Sequence, residues 1–309
     1  MKISISVEIE DLLNNRIFDR DICKKYPGSE WMFFLYQYCK DKHSLVTCDV
    51  ALKNVLDKKW DAQNILVIQH MNDKVTEKLL SLGSKPLVIF SLESPLYQGG
   101  FYDNASGLID KFKHKLLFYG LLANELEINN QSQVRFPSFS LSENLLHRKK
   151  KKINKVVLVC SNQYIHHKSI TKIKSLDDAI WYVRRLISEL RYGSSIAKSI
   201  NHSDYQLHDK RLELITSFLK LDYLDLYGKK WDSYNNLPLK WKNSLLSVLG
   251  KPKNRSVSNK LITISKYRFC LCVENFEYPG YITEKIIDSI VAQTVPIYFG
   301  APDIHNHIS

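Results

Sequence analysis

Short apolar runs alternate with amphipathic segments along the first half of the chain. Apolar residues at helical spacing predict helices over 30–40 and 73–82. Apolar runs of strand length predict five strands, at 2–8, 45–48, 64–69, 86–91 and 114–119. Strands that alternate with helices in this way are typical of a parallel sheet covered by helices. The first half therefore predicts an α/β domain.

The second half repeats this alternation with different spacing. The buried run KVVLVC at 155–160 predicts a strand that ends at Ser161-Asn162. Amphipathic helices are predicted over 176–190 and 204–221, and residues 222–227 lead into a further strand. The pattern predicts a second α/β domain.

The stretch from Tyr267 to Gly300 has the clearest pattern in the chain. Its first seven residues are apolar apart from Arg268, which suits a strand buried on both faces. A loop at Pro279-Gly280 follows, and Thr283 is the predicted N-cap of the next helix. Pro296 prevents the helix from continuing, so 295–299 is the next predicted strand. In parallel sheets, ligands bind beyond the carboxyl ends of strands.

Three polar residues lie where that rule places a ligand. Glu274 and Asn275 follow the apolar strand directly, and Lys285 falls in the first turn of the predicted helix. A cation at this end opposes the helix dipole by ~0.3–1 kcal/mol. A bound anion would reverse that effect, because helix N-termini bind phosphate well. The alternative is an ordinary helix with a solvated lysine, and spacing alone leaves both open.

Arg211 falls on the apolar side of its predicted helix. At about 100° per residue it lies about 40° from Leu207, inside the stripe formed by Leu214, Ile215 and Phe218. A buried guanidinium must find an anion or extend to water. An internal salt bridge and a bound anion both fit this pattern.

The run CVENFEYPGYITEKIIDSIVAQTVPIYFG resembles the donor-site signature of the α1,3/4-fucosyltransferases. That signature has a FEN-like tripeptide, an aromatic and glycine loop, Y-[IV]-T-E-K, and then VP-[IV]-[YVW]-x-G. The chain has Val273 where the family usually has Phe. The resemblance implies a glycosyltransferase-B fold, in which two Rossmann-like domains face each other across a cleft. It also implies inverting transfer from GDP-fucose without an obligatory metal.

The resemblance assigns roles to individual residues of the second domain. It implies that Arg211 and Lys285 meet the donor diphosphate. Glu284 and Asn275 would hold ribose or fucose hydroxyls. The remaining donor-site positions are Glu274, Tyr281, Ser161 and Asn162. The 48 residues between Asn162 and Arg211 exceed the family's spacing, so helix 176–190 looks like an insertion.

Glu93 is the candidate general base. It lies in SLESPLY, just after the predicted strand 86–91, and the family has a similar E-S-P motif in its acceptor domain. Pro95 restricts Ser94 to extended geometry. Without the resemblance, a glutamate before Ser-Pro is more often a turn residue. The resemblance favours catalysis.

A basic run marks the predicted domain boundary. HRKKKK at 147–152 is the steepest change in composition, and we expect a solvated linker there. The predicted domains are an acceptor-binding domain at 1–150 and a GDP-fucose-binding domain at 151–309. Family members continue beyond the VPIYFG strand, so the second domain looks truncated at its C-terminus.

Composition narrows the classes of protein. A hydrophobic share of 44% excludes a disordered chain. The formal charge of +12, from 44 basic and 32 acidic residues, favours an anionic partner such as a nucleotide, a nucleic acid or lipid headgroups. No apolar run approaches the ~18 residues of a membrane span, and the N-terminus lacks a signal-peptide core. With six cysteines and no CxxC pair, we expect reduced thiols in a cytoplasmic protein. Animal members of the family that the chain resembles carry a membrane anchor, so the resemblance, together with the lack of an apolar span, suggests a microbial or viral enzyme.

A metal cofactor is not expected. Asp19-Arg20-Asp21 has the D-x-D form of a metal motif, but it follows no strong strand and an arginine separates its carboxylates. A charged surface loop explains it better. No cluster of His, Cys, Asp or Glu has zinc spacing.

These observations predict an inverting fucosyltransferase. Its partners would be GDP-fucose and a glycan acceptor containing N-acetylglucosamine or glucose, with an α1,3 or α1,4 linkage. The basic residues leave a weak contact with a membrane surface open. One alternative is a transferase of the same fold that uses another nucleotide sugar. The other is a noncatalytic nucleic-acid-binding protein, suggested by charge alone; we expect no nucleic acid.

Overall fold

A computed structural model describes residues 1–7, 9–23, 25–26, 29–70, 73–91, 108–117, 131–132, 151–164, 179–180, 183 and 205–308. The described residues form two compact units, one within 1–132 and one within 151–308. The predicted boundary at residue 150 and most of the predicted helix 176–190 lie outside the described residues. Those two predictions remain predictions.

The first unit is a parallel sheet of six strands with helices between them. The strands are β1 (Lys2–Ile5), β2 (Ser44–Thr47), β3 (Ile65–His70), β4 (Lys85–Ser91), β5 (His114–Leu117) and β6 (Gln131–Ser132). Their order is β2-β1-β3-β4-β5-β6, and every neighbouring pair is parallel. The helices are α1 (Arg20–Cys23), α2 (Glu30–Cys39), α3 (Cys48–Leu56) and α4 (Lys74–Ser81). The parallel α/β sheet predicted from the alternation is confirmed.

The local sequence correctly predicts where one helix of this unit begins, but not where another begins. Asp73 accepts hydrogen bonds from the backbone N–H groups of Val75 and Thr76 (3.1 and 3.3 Å), so its carboxylate caps α4 where the pattern predicts a helix. Cys48, by contrast, is the last residue of a predicted strand but begins α3. That prediction was wrong because the N-cap of α3, Thr47, makes no side-chain capping bond that would mark the helix start.

The second unit has four strands, all parallel to their neighbours. They are β7 (Ile153–Val159), β8 (Leu224–Tyr227), β9 (Tyr267–Val273) and β10 (Val295–Phe299), in the order β10-β9-β7-β8. The helices are α5 (His208–Lys220), α6 (Leu239–Leu249), α7 (Lys260–Ser265) and α8 (Glu284–Val291). The carboxyl ends of the two central strands, β7 and β9, therefore lie side by side at one edge of the sheet.

Strand β9 is the most buried element of this unit. Its last four residues are all buried, as the continuous apolar run predicts. Cys270 and Cys272 lie on the same side of the strand with their sulfur atoms 3.8 Å apart, and both are free thiols in the core. Helices α5 and α6 cover the sheet through a cluster that includes Leu212, Ile215 and Leu245.

The basic run at 147–152 ends in an ordered contact. The ammonium of Lys152 donates to the carbonyls of Ala292 and Gln293 (3.2 and 2.6 Å) and to the hydroxyl of Thr294 (3.2 Å). These residues directly follow α8. The composition predicts a solvated linker here. Lys152 is not solvated in that way, because it binds the carbonyl groups exposed at a helix C-terminus.

Within the described ranges, no helix has both the length and the apolar character required to cross a lipid bilayer.

Candidate functional site

The candidate site lies at the carboxyl edge of the second unit's sheet. Glu274 and Asn275 directly follow β9, and Ser161 and Asn162 follow β7. Because adjacent parallel strands lie ~4.8 Å apart, the ends of these two strands are close neighbours. The N-terminal ends of α5 and α8 supply Arg211 and Lys285 to the same edge, where both make hydrogen bonds to the end of β9.

Glu274 is fully buried and forms the base of this site. One carboxylate oxygen accepts the backbone N–H of Thr283 at 2.8 Å. The other accepts the hydroxyl of Thr283 at 2.7 Å and the ammonium of Lys285 at 2.9 Å. The carboxylate is thus 0% exposed, and the protein itself supplies three donors to it. We infer that Glu274 acts on a ligand through Lys285.

Thr283 has the position predicted for it but not the role. It is the N-cap residue of α8, yet its side chain makes no capping bond to the helix. Its hydroxyl donates to Glu274 instead, since the carboxylate lies below the helix start and is a stronger acceptor. The N-terminal N–H groups of α8 therefore receive no bond from the hydroxyl that sequence reasoning assigned to them.

Gly300 explains how the carboxylate fits beneath the helix. A Cβ atom at position 300 would lie 2.5 Å from Cγ of Glu274 and 2.7 Å from the hydroxyl of Tyr298. Both distances are too short for any side chain. The glycine that ends the VPIYFG run is required because the Glu274 side chain fills the space beside it.

Lys285 is neither a solvated lysine nor an isolated cation. Its side chain is 17% exposed, and its ammonium donates to Glu274 and to the hydroxyl of Thr283 (2.8 Å). Burial alone would lower the pKa of Lys285, but Glu274 and Glu284 outweigh burial and raise it. An ammonium has three protons, so one remains after these two bonds. Lys285 is a fixed, fully charged donor at the mouth of α8.

Arg211 is buried, as its position on the helical wheel predicts, with 5% of its surface exposed. All three of its side-chain hydrogen bonds come from Nη2, and they reach the carbonyls of Val273 (3.2 Å) and Glu274 (2.8 Å) and the Oδ1 of Asn275. Among the described residues it forms no salt bridge, and its buried Nε has no hydrogen-bond partner. The main chain therefore orients the guanidinium while its charge is not neutralised by a bonded carboxylate.

Asn275 and Glu284 flank these two cations. The amide oxygen of Asn275 orients Arg211, and its carbonyl accepts the backbone N–H of Leu207 at 3.0 Å. Glu284 is 35% exposed, with Oε1 lying 3.9 Å from the ammonium of Lys285. Burial would raise the pKa of Glu284, but Lys285 and Lys260 outweigh it and hold that pKa far below its usual range. Glu284 is therefore an ionised carboxylate at the rim of the site, able to accept a hydrogen bond from a hydroxyl group.

Sequence reasoning missed Lys260. This residue begins α7, and its ammonium lies 2.7 Å from Asp288 and 3.3 Å from Glu284. The two carboxylates are four residues apart, so they occupy one face of α8. That i,i+4 pair was the available signal, because two acidic residues on the buried side of a helix require a cation.

Two further predicted residues lie at the edges of the site. Tyr281 is buried beneath the loop, with its ring edge-on to Phe276 at 5.8 Å, so it supports the loop from below. Ser161 is half-buried at the end of β7, and its carbonyl accepts the backbone N–H of Gln163 at 2.9 Å.

Asn162 lines a cavity of about 510 Å³ beyond the end of β7. Its side-chain N–H donates to the carbonyl of Ser233 at 2.7 Å, which fixes the orientation of the amide. Its Oδ1 is buried without a partner among the described residues. The other lining residues are Gln163, Tyr164, Lys230, Asp232, Ser233, Asn235 and Asn236. The size is that of a small-molecule site.

His208 is a second residue that the sequence did not reveal. It is 1% exposed at the start of α5, three residues before Arg211. Burial and the neighbouring Arg211 lower the pKa of His208 to about 3. His208 is therefore neutral at physiological pH, and it adds no positive charge beside the guanidinium.

The remaining sequence predictions lie elsewhere. Glu93, the proposed general base, is outside the described residues. Asp19, Arg20 and Asp21 are exposed, and the carboxylate of Asp19 accepts the backbone N–H groups of Asp21 and Ile22, so it caps α1. Within the described ranges, no group of three or more His, Cys, Asp or Glu residues is arranged to hold a metal ion.

A comparison with protein families identifies the region that contains this site. Residues 195–308 match the family described as glycosyltransferase family 10 (fucosyltransferase), C-terminal part. The match includes α5 to α8 and β8 to β10, and thus the arrangement of Arg211, Glu274 and Lys285. This region of the chain matches a family 10 fucosyltransferase domain, in agreement with the resemblance.

Individual relatives agree with this assignment. The chain is 40% identical to the α-(1,3)-fucosyltransferase FucT of Helicobacter pylori over 75 residues, which are 24% of this chain and 15% of the relative. It is 31% identical to the putative fucosyltransferase R654 of Acanthamoeba polyphaga mimivirus over 155 residues, 45% of this chain and 24% of that relative. The matched segments therefore span a quarter or less of these relatives' lengths.

A solved α1,3-fucosyltransferase structure with GDP-fucose aligns with 98% of this chain and 69% of its own, at 16% identity and a TM-score of 0.43. A likeness at this level establishes no shared detail. The assignment to the family rests on the sequence match.

Proposed function

We propose that this protein transfers L-fucose from GDP-fucose, with inversion, to a hydroxyl of a glycan containing N-acetylglucosamine or glucose. The observation that carries the proposal is the pair of cations that the family 10 region brings to the end of β9. Arg211 and Lys285 both bond to Glu274 there, Arg211 to its carbonyl and Lys285 to its carboxylate. The relatives from Helicobacter pylori and Drosophila melanogaster are named α-(1,3)-fucosyltransferases, which favours an α1,3 over an α1,4 linkage.

The donor diphosphate would bind between the two cations. When their bonds to the described residues are counted, Arg211 retains its Nε edge and Lys285 retains one proton. Phosphate oxygens accept such charge-assisted hydrogen bonds strongly. As the bond to fucose breaks, negative charge grows on the departing diphosphate, and both cations stabilise it.

The rest of the donor would extend along the same edge of the sheet. Glu284, which is ionised and partly exposed, and Asn275 would hold hydroxyls of ribose or fucose. The cavity beside Asn162 has the volume for the nucleoside, and Ser161 is the preceding residue of the chain. An amide oxygen without a partner among the described residues suits a base that offers an N–H group.

The reaction would form one bond and break one bond at the anomeric carbon. The acceptor hydroxyl oxygen attacks that carbon, the bond from carbon to the diphosphate oxygen breaks, and GDP leaves with the electron pair. The hydroxyl proton passes to a base on the face opposite the departing GDP. A base beside the diphosphate could not serve inversion, and Glu93, to which the family resemblance gives this role, is the candidate.

We propose that the transfer needs no metal. Two side-chain cations would neutralise the leaving diphosphate, and the one D-x-D sequence, at Asp19, is used to cap α1. Transfer is expected to persist in excess EDTA. Loss of transfer in EDTA, with recovery on adding manganese or magnesium, would contradict this part of the proposal.

The proposed function is tested by single-turnover transfer of fucose from GDP-fucose to an N-acetylglucosamine-containing glycan. Glu93→Gln keeps the side-chain shape but removes the proton acceptor, so the rate should fall ~10²–10⁴-fold. GDP-fucose affinity should change little. Normal transfer by Glu93→Gln would exclude Glu93 as the base. Transfer from GDP-mannose but not from GDP-fucose would mean that GDP-mannose is the donor. Binding of nucleic acid without any transfer would overturn the enzyme assignment.

A further inference from the structure

The ion pairs of the site form one connected array around the start of α8. The array contains two lysines (Lys260 and Lys285) and three carboxylates (Glu274, Glu284 and Asp288), and Arg211 adjoins it through the main-chain carbonyl of Glu274. Lys285 bonds to Glu274, while Lys260 bonds to the other two carboxylates. Each acidic side chain of the array thus has a lysine partner.

Glu284 lies between the two lysines and is not equally close to them. Its Oε1 is 3.3 Å from the ammonium of Lys260 and 3.9 Å from that of Lys285. Only the nearer lysine makes a hydrogen bond to it. The array therefore directs Glu284 toward α7 and leaves the third proton of Lys285 available.

Without Lys260, Glu284 would have one lysine within reach. Lys285 is the adjacent residue on the helix, and a shift of less than one ångström would bring the carboxylate into hydrogen-bond distance of it. A carboxylate bonded to Lys285 would compete with any anion for the same ammonium. It would also place a negative charge next to that anion.

We propose that Lys260 is a positioning residue that holds Glu284 away from Lys285, so that Lys285 can bind the donor diphosphate. This inference rests on the proposed function, because it assumes that the anion is the diphosphate of a nucleotide. Lys260 itself would not contact the nucleotide. It would affect binding only by determining whether Glu284 pairs with Lys260 or with Lys285.

The contacts of Asp288 determine which variant is informative. Asp288 is 0% exposed and lies 2.7 Å from Lys260, so removing the lysine alone would leave a buried charge and could unfold the protein. The variant Lys260→Gln with Asp288→Asn replaces both partners by neutral side chains that can still form a hydrogen bond. It also leaves the net charge of the array unchanged, so a change in affinity cannot come from net charge.

The experiment is a calorimetric titration of GDP into the wild type and four variants. In Lys260→Gln/Asp288→Asn, GDP affinity should fall about tenfold, because Glu284 then pairs with Lys285. Adding Glu284→Gln to this variant should return the affinity to within about threefold of that of Glu284→Gln alone, because Lys260 acts only through the Glu284 charge. A control, Lys155→Gln/Asp222→Asn, removes an ion pair of 2.7 Å elsewhere in the unit and should leave the affinity unchanged.

The outcomes separate this inference from the proposed function. Recovery on removal of the Glu284 charge supports positioning, since damage to the fold would not be repaired by a further substitution. Equal GDP affinity in the wild type and in Lys260→Gln/Asp288→Asn would overturn the inference alone. A loss of affinity that Glu284→Gln does not restore would also overturn it. Absence of GDP binding by the wild type would overturn both.

Discussion

A lysine lies at each end of helix α8, and the two lysines bind different groups. Lys152 binds main-chain carbonyls just beyond the C-terminus, where the helix dipole favours a cation. Lys285 lies in the first turn, where the dipole disfavours a cation, and it is held there by the buried Glu274. The first contact stabilises the fold without any ligand. The second holds a charged ammonium, with one proton left after its bonds to Glu274 and Thr283, at a helix end that binds anions, which is why we assign function to the N-terminal end.

The largest effect is expected at the carboxylate that holds Lys285. Glu274→Gln leaves the partly buried ammonium without its partner, so the free energy of unfolding should fall by about 3 kcal/mol. Asp222→Asn breaks an ion pair of similar length, but that carboxylate is 89% exposed and stability should change little. Chemical denaturation of both variants checks the prediction. Equal stability losses would show that the Glu274–Lys285 pair behaves as a surface pair.

A smaller effect is expected from a pH titration of His208, which begins α5 at the same edge of the sheet. His208, beside Arg211, has a pKa lowered to about 3, whereas the unfolded chain binds a proton near pH 6.5. The unfolded state therefore binds more protons below pH 6.5. The free energy of unfolding should decrease as the pH is lowered, by up to about 1.4 kcal/mol per pH unit. His208→Gln should flatten this slope between pH 6.5 and pH 5. An unchanged slope would mean that His208 is not buried as a neutral group.

The smallest effect is expected at the C-terminal lysine. Lys152→Met removes a cation from three acceptors, and the free energy of unfolding should fall by about 1 kcal/mol. These acceptors are carbonyls and a hydroxyl, which do not titrate, so the loss should be the same at pH 5 and pH 8. Denaturation at the two pH values checks this. A loss that appears at only one pH would point to an acidic partner.

The sequence predicts the elements of the second unit well and the contacts of its site poorly. Strands 267–273 and 295–299 have the predicted bounds, because a continuous apolar run and a helix-stopping proline are local signals. The burial of Arg211 follows from helical spacing in the same way.

Contacts between distant residues leave no such signal. Glu274 follows a strand directly and was expected to face a ligand, but it turns under α8 because Thr283 and Lys285 both reach it. Lys152 was assigned to a linker from its composition, since its partners are about 140 residues away in the chain. Lys260 pairs with carboxylates that periodicity alone does not connect to it.

The central claim is that Lys285 binds an anion, whereas Lys152 stabilises the fold. It is tested most directly by calorimetric titration of GDP into the wild type, Glu274→Gln/Lys285→Met and Lys152→Met. The double substitution removes the buried pair together, which avoids an unpaired charge. We expect this variant to lose roughly 1–3 kcal/mol of GDP binding energy, the contribution of a charged hydrogen bond, and Lys152→Met to bind like the wild type. Unchanged GDP affinity in Glu274→Gln/Lys285→Met would contradict the account.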